Sequence, residues 1–234
     1  AAKRWPELVD ALEFRLATDD APPSDLVREL ARLRGSRVPD PERELSLWRI
    51  LLARDPEDVE AVNAAADVLV RQHAWDELEI LAGEREEWGR LIGPLRSAAE
   101  SREDPELFVR LSRVMAERMD DRAAQIAALE RARELAPEDV AAARALENAY
   151  GLAGDASGRA RVLADLVEIA EADDVRELRM SLAVVLLDEL QRPDDAFDVL
   201  SPVFDADPTD AAARQRLTRA AVAAGQGDTW LATL

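Results

Sequence analysis

The chain has 234 residues, 48% of them hydrophobic but only 4% aromatic, which is apolar material for one long domain or two short ones. Its 49 acidic residues outnumber 30 basic ones, for a formal charge of −19. That field disfavours nucleic acid and an anionic membrane surface, because binding either one relies on clustered cationic side chains. Cysteine is absent, so there is no disulfide framework, thiolate nucleophile or cysteine metal site.

The first residues, Ala1-Ala2-Lys3-Arg4-Trp5-Pro6, lack an initiator methionine and run straight into an amphipathic stretch. They read as the start of a segment cut from a longer protein, not as a signal peptide. Lys3 is the single lysine. Residues 1–39 are expected to form N-terminal helices that match the later pattern poorly. Residues 40–234 carry a repeat. Its punctuation is Asp55-Pro56-Glu57-Asp58-Val59, Ala136-Pro137-Glu138-Asp139-Val140 and Asp207-Pro208-Thr209-Asp210-Ala211. In each copy the proline is expected within the first helical turn, where its missing N–H costs nothing.

The three prolines are 81 and 71 residues apart, about twice a helix-pair unit of roughly 34 to 40 residues. Half-way signals agree: Asp104-Pro105-Glu106 and Ala172-Asp173-Asp174 each precede an apolar stripe, Leu107, Leu111, Val114 and Met115 in one case and Leu178, Leu182, Val185 and Leu186 in the other. Second helices are expected over 121–135, 158–170 and 193–204. Residues 84–101, with Gly89 and Gly93-Pro94, read as an irregular insertion. The apolar run 182–187 is closed by Asp188-Glu189, so no segment is expected to insert in a membrane. The last repeat, begun at Pro208, is incomplete. Its apolar Trp230, Leu231 and Leu234 are expected to form a patch that further helices cover or through which two copies self-associate.

These residues resemble the tetratricopeptide repeat (TPR) family. Leu146, Tyr150, Gly154-Asp155 and Leu163 fit its pattern after Pro137, and Val62, Ala65, Ala66, Leu69 and Trp75 fit it after Pro56. Ile126, Leu129, Ala132 and Pro137 match the second half of the motif, as do Ala196, Phe197, Leu200 and Pro208. The resemblance implies an all-α fold, a right-handed superhelical α-solenoid of stacked antiparallel helix pairs whose first helices line a concave face. In peptide-binding members a basic residue and an asparagine at the places of Arg144 and Asn148 help clamp a ligand carboxylate. The matching places on the other first helices hold Gln215 and Arg219, and Asn63 with Asp67. Asn63, Arg144, Asn148, Gln215 and Arg219 are therefore the candidate ligand-binding residues.

Catalytic chemistry is not legible. His73 is the only histidine, with no second ligand or proton partner in view. Adjacent carboxylates such as Asp120-Asp121 and Asp194-Asp195 read as turn and cap residues. The run 205–210 lacks the glycine and distal glutamate of a calcium loop. No phosphate loop, nucleophile elbow or zinc-binding helix motif occurs. The expectation is a non-enzyme without cofactor or metal, a scaffold that binds a protein or peptide carrying a basic segment. A regulatory or structural segment of a larger protein, and a self-assembling module, stay open as alternatives. The default compartment is the cytoplasm, with the periplasm also open.

Overall fold

A computed structural model describes residues 4–231, and within them every regular element is helical. The spacing of caps explains where helices begin. Asp40, Asp58, Asp104, Asp121, Asp139, Asp155 and Asp210 each stand at an N-cap, and each side chain accepts a bond from a backbone N–H of the first turn. Much of the acidity of the chain is thus cap chemistry, placed where the positive end of the helix dipole favours it.

The repeated Asp/Ala-Pro motif is one turn earlier than the sequence suggests. Pro56, Pro137 and Pro208 lie in turns ahead of the helices, closed by the N–H of Asp58, Asp139 and Asp210 bonding back to Asp55, Ala136 and Asp207 at 3.2, 3.1 and 3.1 Å. The proline is the second residue of a β-turn, where its fixed φ is favourable, and the aspartate that follows takes the cap.

Helix ends use a second device. His73, Glu103, Asp120, Gly154, Gln191 and Gly225 all have positive φ, between 50° and 74°. The next N–H then reaches back over the last turn, from Ala74 to Leu69 at 2.9 Å, Asp155 to Tyr150 at 3.0 Å and Gln226 to Ala221 at 2.8 Å.

The chain divides into two compact units, one ending at Ser97 and the other beginning at Ala98. The first holds α1 (Trp5–Thr18), α2 (Ser24–Ser36), α3 (Pro41–Arg54), α4 (Val59–Gln72) and α5 (Trp75–Gly83), and the start of α6 (Gly89–Arg102). From α1 to α5 each helix packs on its chain neighbours, and the short connections make those neighbours antiparallel. Leu30, Leu47, Leu51 and Leu78 fill the core, with Trp48 beside them. Glu44 is buried, its carboxylate 2.7 Å from Arg71 Nη2.

The second unit contains α7 (Pro105–Arg118), α8 (Arg122–Leu135), α9 (Val140–Ala153), α10 (Ala156–Ile169), α11 (Ala172–Val184), α12 (Pro193–Ala206), α13 (Ala211–Ala223) and α14 (Gly227–Leu231). A π turn, Val185–Glu189, continues α11, and one extra residue there lengthens the reach-back bond to Arg192 N–Leu186 O, 2.8 Å. Again each helix packs on the next in the chain. One core ribbon runs through Leu129, Leu146, Leu163, Leu166, Leu200 and Leu217. Its alanines, Ala142, Ala143, Ala149 and Ala213, are buried where helices approach closely.

Two sequence expectations are corrected. The stretch read as an irregular insertion contains α6, a helix of the same 14-residue length as most others; its Leu91, Leu95 and Ala99 recur at helical spacing and are fully buried, which outweighs the two glycines and Pro94. Trp230 does not belong to an exposed patch. Its indole is buried, 5.1 Å and 5.9 Å from the rings of Phe204 and Phe197 in edge contacts, and Nε1 donates to Thr218 Oγ1 at 2.9 Å. Five residues of helix suffice to bring it back over α12 and α13. Leu234 and the side chain of Leu231 lie outside the described residues.

Candidate functional site

The candidate residues divide between the units. Asn63 is on the exposed face of α4 in the first unit, where Oδ1 accepts from Arg90 Nη1. The other four belong to the second unit. Arg144 and Asn148 are exposed on α9, Gln215 and Arg219 on α13. Both arginines reach acids of the helix between them in the repeat: Arg144 pairs with Asp174 in the first turn of α11, and Arg219 with Asp188 on the π turn at 2.6 Å. Thus α11 is the element common to them.

Beside α11 lies a groove of about 450 Å³ between α11 and α13, closed at one side by the start of α10. Its apolar lining comes from Met180, Val184, Val185 and Ala212, and its polar lining from Arg159, Arg176, Glu177, Ser181 and Arg216. Arg176, Met180 and Val184 recur every four residues and so share one helix face. Arg176 Nε sits 2.8 Å from Asp210 Oδ2. Backbone N–H groups of Ala213 and Ala212, together with Arg176, hold the Asp210 carboxyl below the usual carboxylate range, the Ala213 bond contributing most. Arg159 Nε donates to Glu147 Oε1 at 2.6 Å, and Nη1 lies 3.4 Å from Glu189. These pairs fix two guanidinium groups at the groove. Arg216 has no ion-pair partner among the described residues.

The groove shares no lining residue with the candidates read from sequence. α11 lacks the Asp-Pro punctuation that marks the other first helices, and its register is shifted by the π turn, so motif matching passes over Arg176 and Met180. Their four-residue spacing was the available signal.

The first unit has its own concavity, about 390 Å³, lined by Leu45, Leu52, Leu69, Ile80 and Leu81, with Arg49 and Glu77 paired at its rim. It is open because α5 stops after 9 residues. Among the described residues no group of histidine and acidic side chains could hold a metal ion, and no helix is long and apolar enough to cross a membrane.

No protein-family model and no curated protein matches the chain. Solved structures do. YrrB, described as a TPR protein with an unusual peptide-binding site, is 18% identical over 92% of this chain and 98% of its own, with a TM-score of 0.40. TTC0263, a thermophilic TPR protein in Thermus thermophilus, is 16% identical over 86% of this chain and 100% of its own, at 0.33. MamA MSR-1 C2 is 18% identical over 68% of this chain and 90% of its own, at 0.43. The chain resembles these proteins in being built of helical repeats.

Proposed function

We propose that the chain is a non-catalytic scaffold that binds a protein or peptide through the α11–α13 groove. The observation that carries this reading is the groove itself, an apolar floor between two helices with two guanidinium groups at its walls already fixed by carboxylates. Such pre-organisation lowers the ordering cost of binding. We place Arg144, Asn148, Gln215 and Arg219 around this groove as secondary contacts, and Asn63 as the matching position on α4. We also assign the repeat register to 40–234, with 1–39 as N-terminal helices outside it.

The net charge of −19 favours encounter with a partner that carries a basic segment outside the docking segment, an attraction screened over ~8 Å at physiological salt. The test is affinity capture with the intact chain and with Met180→Arg. A stoichiometric partner held by the wild type and lost on the variant, at equal thermal stability, supports the reading; capture of none, or equal capture by both, refutes it. Arg144→Ala with Asn148→Ala is expected to weaken the captured complex without moving the melting temperature, since the exposed Arg144–Asp174 pair contributes at most about 1 kcal/mol.

A further inference from the structure

We infer that the segment seated in the α11–α13 groove is extended and acidic, with two carboxylate side chains flanking an aliphatic one. The inference rests on the scaffold reading and deepens it. Its first support is a local reversal of charge. In a chain with 49 acidic and 30 basic residues, the groove lining holds Arg159, Arg176 and Arg216 against Glu177 alone. The general field selects for cations, whereas this surface selects against them.

The second support is the supply of unused donors. Arg176 commits Nε and Nη2 to Asp210, and Arg159 commits Nε to Glu147 and Nη1 to Glu189. One terminal nitrogen of each remains, held in place by the bonds the others make, and all the nitrogens of Arg216 are available. Charge-assisted bonds from a fixed guanidinium to a carboxylate are the stronger class of hydrogen bond.

Spacing is the third. Arg176 is near the start of α11, and Arg159 is tied to Glu189 at the end of the π turn. From Arg176 to Val185 the helix rises roughly 13 Å, at 1.5 Å per residue. An extended peptide covers roughly the same span in four residues, and alternate side chains point to one face. Two acidic side chains four apart therefore meet the two arginine ends, while the side chain midway between them falls over Met180 and Val184. Met180 is buried and unbranched, suited to adapting to an aliphatic guest.

The probe is a fluorescent peptide with glutamate, threonine, leucine, threonine and glutamate in that order, acetylated at one end and amidated at the other, titrated into the full chain. Saturable binding is expected, weakened about tenfold by glutamine in place of both glutamates and by Arg216→Ala. Arg214→Ala, outside the lining, is expected to leave it unchanged, and melting curves of both variants should overlay the wild type. No binding, or equal binding by the glutamine peptide, overturns the inference. So does tighter binding of a lysine peptide at a site sensitive to Met180→Arg, an outcome that leaves the scaffold reading intact. A requirement for a free terminal carboxylate would transfer recognition from side chains to a chain end and also overturn it. If the captured partner is lost on Met180→Arg yet contains no such acidic segment, the scaffold stands and this inference falls.

Discussion

Gly158, in the first turn of α10, lies directly against the ring of Tyr150 at the end of α9: a Cβ at position 158 would come within 2.5 Å of Tyr150 Cε1 and 2.6 Å of Cδ1. The ring cannot retreat. It is buried, and its hydroxyl donates to Glu130 and accepts from Arg161 Nη2 at 2.9 Å, which ties α8, α9 and α10 together. Gly158→Ala gains helix propensity of up to about 1 kcal/mol, but overpacking a closed core costs about 1–3 kcal/mol. The clash wins, and urea unfolding is expected to show a net loss of about 1–2 kcal/mol. Unchanged or raised stability would mean that the ring has room to move.

The αL positions carry the opposite expectation. Glu103 and Asp120 have φ of 51° and 50°, a region that costs a residue with a Cβ about 1 kcal/mol and glycine almost nothing. Each of Glu103→Gly and Asp120→Gly is expected to raise the unfolding free energy by about 0.5 kcal/mol, after glycine's extra entropy in the unfolded chain is subtracted. Gly154→Ala, at φ 72°, should lower it by about 1 kcal/mol. The three variants measured together separate the φ effect from loss of charge.

Acid should destabilise the protein. Arg28 bonds to Asp58 and Glu60 at 2.7 Å. It holds both carboxyls below the usual range, with help from the Ala61 N–H on Asp58 and from Arg32 on Glu60, as Arg43 does for Glu13. A group whose folded pKa is depressed stabilises above its unfolded value, and that stability is lost as pH falls through the folded value. The unfolding free energy should therefore drop below about pH 4. Arg28→Ala should lower stability at neutral pH by up to about 2 kcal/mol and flatten this acid limb. A wild-type curve flat down to pH 2 would contradict the assignment.

At the alkaline end Tyr150 matters. Burial, and then the Glu130 carboxylate at its hydroxyl, push its pKa up to about 12 from 10.0. The folded state prefers the neutral phenol, so this contribution is complete below pH 10 and disappears as pH rises toward 12. Spectrophotometric titration of the single tyrosine reads it directly, and Glu130→Gln should bring the midpoint down.

Trp230→Ala is expected to destabilise the second unit by about 3 kcal/mol, the order found for truncating a buried aromatic, since it removes the edge contacts to Phe197 and Phe204 and the bond to Thr218. Thermal unfolding followed by circular dichroism checks this. A loss under about 0.5 kcal/mol, typical of surface sites, would place the ring at the surface, and light scattering would then show whether copies associate through it.

Local chemistry was sufficient for some features of this protein. Asp-Pro turns, aspartate caps and apolar residues three and four apart mark α4, α7, α9 and α13 without reference to anything distant, because a cap and a stripe act within one helix. Tertiary packing decided the rest. Between α4 and α9 lie four helices, and between α9 and α13 only three. The 81-residue interval therefore holds one helix more than the 71-residue interval, and an even division of both misses α6. Nothing local announces α6, which has two glycines and a proline; Leu91, Leu95 and Ala99 are buried there only because neighbouring helices cover them. The same holds for Trp230, whose apolar ring looks like an open end until α14 returns it to Phe204. It holds also for the groove, where Arg159, Arg176 and Arg216 come from three helices. Their convergence depends on how successive helices stack, a long-range relation that no single stretch of sequence encodes.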